Sequence, residues 1–152
     1  MAAGKWKLYE SAKLGIANGE IDLDTHSFKI ALFSSTSNCD TLSGTTTLAS
    51  LTNQLSTANG YTQNSKAVTI TTANSGGTIT VDETTNPSWT AAGGSITARF
   101  AVIYDDTHAS DQALCVCLLD TTPADVTATD GNTFTITINA SGLFTISGAT
   151  SN

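Results

Sequence analysis

WTAAGGSITARFAVIYDDTHASDQALCVCLLD, Trp89 to Asp120, is the stretch that decides the fold. Ile96, Ala98, Phe100, Val102 and Tyr104 alternate with Thr97, Arg99, Ala101 and Ile103, which is the period of a strand. The run Ala113 to Leu119 is apolar on both faces: Leu114, Val116 and Leu118 against Ala113, Cys115, Cys117 and Leu119. A strand of that kind has to be covered on both sides and belongs in the middle of a sheet. Asp105 to Gln112 between the runs is polar and has hairpin-loop character. The stretch therefore predicts a central antiparallel hairpin, with shorter, more amphipathic strands around it.

Outward from that hairpin, turn signals recur at short intervals. Upstream, Ser27 to Phe33 alternates Phe28, Ile30 and Leu32 with Lys29 and Ala31. Tyr61 to Thr72 carries a strand with Val68 and Ile70 inward, Asn74-Ser75-Gly76-Gly77 turns, and Thr78 to Asp82 returns with Ile79 and Val81 inward. Asn86-Pro87 closes that strand. Downstream, Thr133 to Asn139 sets Phe134, Ile136 and Ile138 against Thr133, Thr135 and Thr137, and Leu143 to Ile146 follows a Gly142 turn. Residues 4–17 carry Trp6, Tyr9, Ala12 and Ile16 at helical spacing, with Asn18-Gly19 as the stop. Leu48, Leu51 and Leu55 are spaced for one further short helix ending near Asn59-Gly60. The prediction is all-β: one domain over 1–152, an antiparallel β-sandwich or jelly roll at 20–147. A helical segment at 1–17 precedes it and a polar tail at 148–152 follows.

Composition narrows the function classes. Only 12% of the 152 residues are charged, and Thr, Ser, Asn and Gly supply most of the polarity, which suits half-buried strands. The net charge of −7 makes nucleic acid a poor partner, because phosphate binding needs a concentrated basic patch. The charge is uneven: Lys5, Lys7 and Lys13 against Glu10 leave the first 13 residues at +2, whereas beyond them Lys29, Lys66 and Arg99 face twelve acids, or −9. No apolar run reaches membrane-spanning length and no signal-peptide core is visible, so the expectation is a soluble protein made in the cytosol. Three cysteines, Cys39, Cys115 and Cys117, do not form a closed disulfide set and read as free buried thiols.

Three constellations bear on chemistry. Asp105, Asp106, His108 and Asp111 cluster carboxylates in one loop, and Asp22, Asp24 and His26 do so before a strand. Neither has the spacing of a calcium loop, and polar hairpin tips routinely collect Asp, so no metal is expected at either. Neither a G-x-S-x-G elbow nor an H-E-x-x-H motif is present, and the expectation is no catalytic residue and no cofactor. Trp6 and Trp89 suit a sugar-stacking platform in principle, but read more simply as an anchor for the helix and a filler at the edge of the core.

Lys7 to Tyr9, Ala12 to Gly15, Ile21 to Phe33 (IDLDTHSFKIALF), Ala58 to Thr62, Trp89 to Asp106 and Asp130 to Ile146 together resemble small virion structural proteins of tailed bacteriophages. The resemblance covers nearly the whole chain. It implies a β-sandwich capsid cement (decoration) protein on the outer capsid surface, made in the host cytoplasm. Such a protein would bridge neighbouring major capsid subunits, and its partners would be the major capsid protein and further copies of itself, as a dimer or trimer. A tail or head-surface module reading host glycans is the alternative. The basic, aromatic segment Lys5, Trp6, Lys7, Leu8 and Tyr9 is the expected interface, since an acidic body attracts it and aromatic residues suit anchors.

Overall fold

The computed structural model describes residues 4–148. The polar tail expected at 148–152 lies, beyond Gly148, outside the described residues. Twelve strands and one α-helix follow in chain order: β1 (Lys7–Leu8), α1 (Glu10–Asn18), β2 (Phe28–Phe33), β3 (Lys66–Val68), β4 (Ile70–Ser75), β5 (Thr78–Glu83) and β6 (Ser88–Thr90) come first. Then come β7 (Ile96–Ala98), β8 (Phe100–Asp105), β9 (Gln112–Leu118), β10 (Val126–Ala128), β11 (Thr133–Thr135) and β12 (Phe144–Ser147). All ladders between these strands are antiparallel. The protein is thus an all-β fold of sandwich character with one short helix, and these pairings do not by themselves establish jelly-roll connectivity.

The main sheet runs β1-β9-β8-β2-β3. The predicted β8–β9 hairpin is at its centre, and every residue of β8 is buried. Ala101, Val102 and Ile103 are inaccessible on both faces, as are Leu114 and Cys115 on β9. The pairing slips between Ile103 and Tyr104, so that Ile103 faces Cys115 but Tyr104 faces Ala113. Leu114 is the extra residue of this bulge, and its carbonyl accepts a hydrogen bond from Tyr9 N–H at 3.1 Å. The bulge thereby fixes the start of α1 against the sheet.

Three expectations are corrected. First, Ile96 to Tyr104 is not one strand. It breaks at Arg99: β7 pairs with β10, and β8 enters the main sheet. The alternation survives the break because Ile96, Ala98 and Phe100 all reach the core, while Arg99 turns out to an ion pair with Asp125 at 2.8 Å. The run Tyr61 to Thr72 divides similarly at Thr69, into β3 on the main sheet and β4 on another.

Second, the N-terminal segment is extended at Lys7–Leu8, which pairs with Val116 and Cys115, and is helical only from Glu10. The helix stops as read: Gly19 is left-handed and its N–H reaches the Gly15 and Ile16 carbonyls. Third, the second helix is a single 3-10 turn, Leu48–Ser50. Leu55 is held in extended chain by its N–H to the Leu32 carbonyl at 2.8 Å. Asn59-Gly60 is a two-residue turn between Ala58 and Tyr61, with φ of 53° and 85°, rather than a helix stop.

The strand read at Thr133 to Asn139 is shorter as a ladder. It pairs with β6 only through Thr135, because the next partner, Pro87, has no N–H to return. Ile136 still donates to the Pro87 carbonyl at 3.0 Å, so the apolar face stays inward. Trp89 on β6 packs against Tyr61 and Phe134, with ring centroids 5.5 and 6.3 Å away, and Lys66 Nζ lies 5.8 Å from its ring.

Candidate functional site

Strands β12-β5-β4 form a separate three-stranded sheet, and it is unlike the rest of the molecule. On β4, Thr71 to Ser75 are all exposed, and on β12 so are Thr145, Ile146 and Ser147. Gly76 and Gly77 close β4 on β5 with φ of 58° and 82°, as a two-residue turn with both central residues at positive φ requires. The hairpin is held at its base, where Val81 is fully buried, and opens to solvent towards Gly76-Gly77. Ile79, read as inward, is therefore 36% exposed, and it pairs in register with Ile146, equally exposed. Gly142 lets the connection before β12 approach closely: a Cβ there would lie 2.7 Å from the Val81 carbonyl oxygen.

A cleft of about 580 Å³ runs between the N-terminal stretch and the chain leading into β12, with Lys5, Trp6, Ile138, Asn139 and Phe144 on its walls. A shallower one of about 390 Å³ lies between Leu8, Lys13 and Ile16 on one side and Ile146 on the other. The five expected interface residues are thus divided. Lys5 and Lys7 are exposed and Leu8 is half-buried, whereas Trp6 and Tyr9 enter the chain's own core. Tyr9 donates its hydroxyl to the Cys39 carbonyl at 2.6 Å, and burial pushes its phenol well above the ordinary range. The open sheet itself was missed by sequence reading. Its one visible signal was the Gly76-Gly77 tip, which marks the far end of a hairpin.

The two acidic clusters meet. His26 donates Nδ1–H to Asp105 Oδ2 at 2.6 Å, and Asp105 is fully buried, its other oxygen accepting Thr107 and His108 N–H at 3.0 and 3.1 Å. Lys29 closes on Asp106 at 2.8 Å, and Asp22 accepts from Asp24 N–H, Thr25 N–H and the Thr25 hydroxyl. These bonds hold Asp22 below the usual carboxylate range, the Thr25 hydroxyl most strongly. Among the described residues no three His, Cys, Asp or Glu side chains converge in a way that would hold a metal ion. The geometry ties the β8–β9 loop to the turn before β2, and that is what these charges do.

Trp89 is 6% exposed and Trp6 8%, so little of either ring is open. The three thiols are free and buried. Among the described residues no helix is long and apolar enough to cross a membrane. No protein-family model matches this chain, and neither a curated protein nor a solved structure does.

Proposed function

We propose that this chain is a non-catalytic virion structural protein of the capsid-cement type, which binds the outer capsid surface and bridges neighbouring subunits. The observation that carries the reading is the junction of a sealed core with an open sheet. The centre of the main sheet, β8 and β9, is buried on both faces, while the clefts beside β12 carry Lys5 and Lys13 in a chain of net charge −7. An extended segment of a capsid subunit that carries both acidic and apolar side chains fits this place: the lysines attract its charges, and Trp6, Ile138 and Phe144 in one cleft and Leu8, Ile16 and Ile146 in the other meet its apolar side chains. The titratable pair His26 and Asp105 is engaged elsewhere, in holding two loops together.

Purified protein added to capsids stripped of their decoration tests this directly. Saturable binding, and density for the chain across subunit boundaries, is the expected result. Binding to a glycan array without any affinity for capsids would replace the cement reading with that of a host-glycan module.

A further inference from the structure

We propose that β4 is a self-pairing edge: two copies of this chain join through Ile70–Ser75, antiparallel about a two-fold axis, into one continuous six-stranded sheet. Sheet edges in soluble proteins are normally blunted by shortness, charge, proline or a bulge. Among the described residues the other edge strands are short: β1 has two residues, β3, β6, β7, β10 and β11 have three, and β12 has four. β4 has six, ITTANS, without a charge, a proline or a register shift against β5. Among the described residues none of its side chains has a hydrogen-bond partner, and no strand lies beside its outer edge.

A second copy fits this edge for two reasons. Each copy carries −7, so a contact between copies needs a surface free of charge, and β4 is one. The hydrogen-bond phase also matches itself. Across a two-residue hairpin the flanking residues, Ser75 and Thr78, form the hydrogen-bonded pair. Ser75, Ala73 and Thr71 therefore turn their N–H and C=O to β5, and Asn74, Thr72 and Ile70 turn theirs outward. Antiparallel pairing of those outward groups puts Thr72 opposite Thr72 of the second copy, on the axis, and Ile70 opposite Asn74. Such an interface is isologous and closes at two copies. It stands apart from the capsid reading, and either holds if the other fails.

Mass measured across a dilution series, by light scattering or sedimentation, should show a monomer–dimer equilibrium. Thr72→Pro removes one outward N–H without touching the β5 ladder, so it should abolish the dimer while leaving circular dichroism unchanged and Tm equal to that of the parent protein diluted to monomer. Should that variant fail to fold, Thr72→Lys, which sets two like charges opposite each other, reads the same loss. Thr72→Cys should crosslink to a dimer on oxidation, because Cα atoms of a hydrogen-bonded pair lie about 5.5 Å apart, within disulfide reach. A monomer at the highest soluble concentration, a trimer, or a dimer that survives Thr72→Lys without the Thr72→Cys crosslink overturns the proposal.

Discussion

His26 and Asp105, 79 residues apart in sequence, meet at 2.6 Å, and the buried carboxylate spends its second oxygen on the Thr107 and His108 amides. Asp105→Ala would orphan two backbone N–H groups and the histidine at once. Each buried donor left without its acceptor costs about 1–3 kcal/mol, so we expect a loss of several kcal/mol. Asp105→Asn keeps an oxygen for the amides and can donate its N–H to His26 once the neutral ring carries its proton on Nε2, so a smaller loss, about 1 kcal/mol, is expected. Urea unfolding of both variants checks the order. Equal losses would mean that the carboxylate does not organise the loop.

The thiols make stability fall in alkali. Burial pushes Cys39 and Cys117 up to about 12, and Cys115 also rises well above its ordinary value, so folded thiols keep protons that unfolded ones release near pH 9. The native state then binds more protons than the unfolded state above pH 9, and stability drops as pH rises from there to about 12. The slope is up to about 1.4 kcal/mol per pH unit for each thiol. Cys117→Ala should flatten this slope without changing its sign. At pH 8 a thiol reagent should label none of the three in the native protein and all three after denaturation.

Two glycines at nearly equal positive φ differ in their surroundings. Gly44, at 83°, has open space where a Cβ would sit, whereas on Gly60, at 85°, that atom would overlap the Thr90 carbonyl oxygen. Gly44→Ala should cost about 1 kcal/mol from backbone strain alone. Gly60→Ala adds a clash with main chain and should cost about 3 kcal/mol or more. Thermal unfolding of the pair separates the two contributions.

The N-terminal segment divides into a buried part and a free part. Trp6→Ala should destabilise by about 3–5 kcal/mol as a core truncation. Lys5→Glu with Lys7→Glu, both exposed, should leave Tm within a degree or two and weaken capsid binding at least tenfold. If the charge reversal leaves capsid binding intact, the basic segment is not the contact.

The central hairpin, the Gly19 stop and the buried thiols were legible because each rests on a local signal: two-sided apolarity, a left-handed glycine, an odd cysteine count. The breaks at Thr69 and Arg99 were not. A chain that leaves one sheet and enters another keeps its two-residue period through the change, so alternation cannot mark where the partner changes. Asn59-Gly60 illustrates a different difficulty. The same dipeptide ends helices and closes hairpins, and only the extended chain on both sides, at Leu55 and Tyr61, decides between them. Ile79 was placed inward because its period said so, yet the hairpin outruns the core that would have covered it. Of the candidate site, Lys5 to Leu8 was visible as charge and aromaticity, whereas the cleft opposite depends on Phe144 and Asn139 folding back from the far end of the chain.

Thr69 is the only residue between β3, paired to β2 in the main sheet, and β4, the edge of the open one. A linker one residue long has no slack. Tension applied to the open sheet along its strands therefore passes at once into β3 and pulls it lengthwise past β2. In that direction the rungs of the ladder share the load and must yield together, whereas a pull across the strands would open them one at a time. If the open sheet pairs with a second copy as proposed, the short connection would make it a mechanical clamp that bears load best when pulled along its strands.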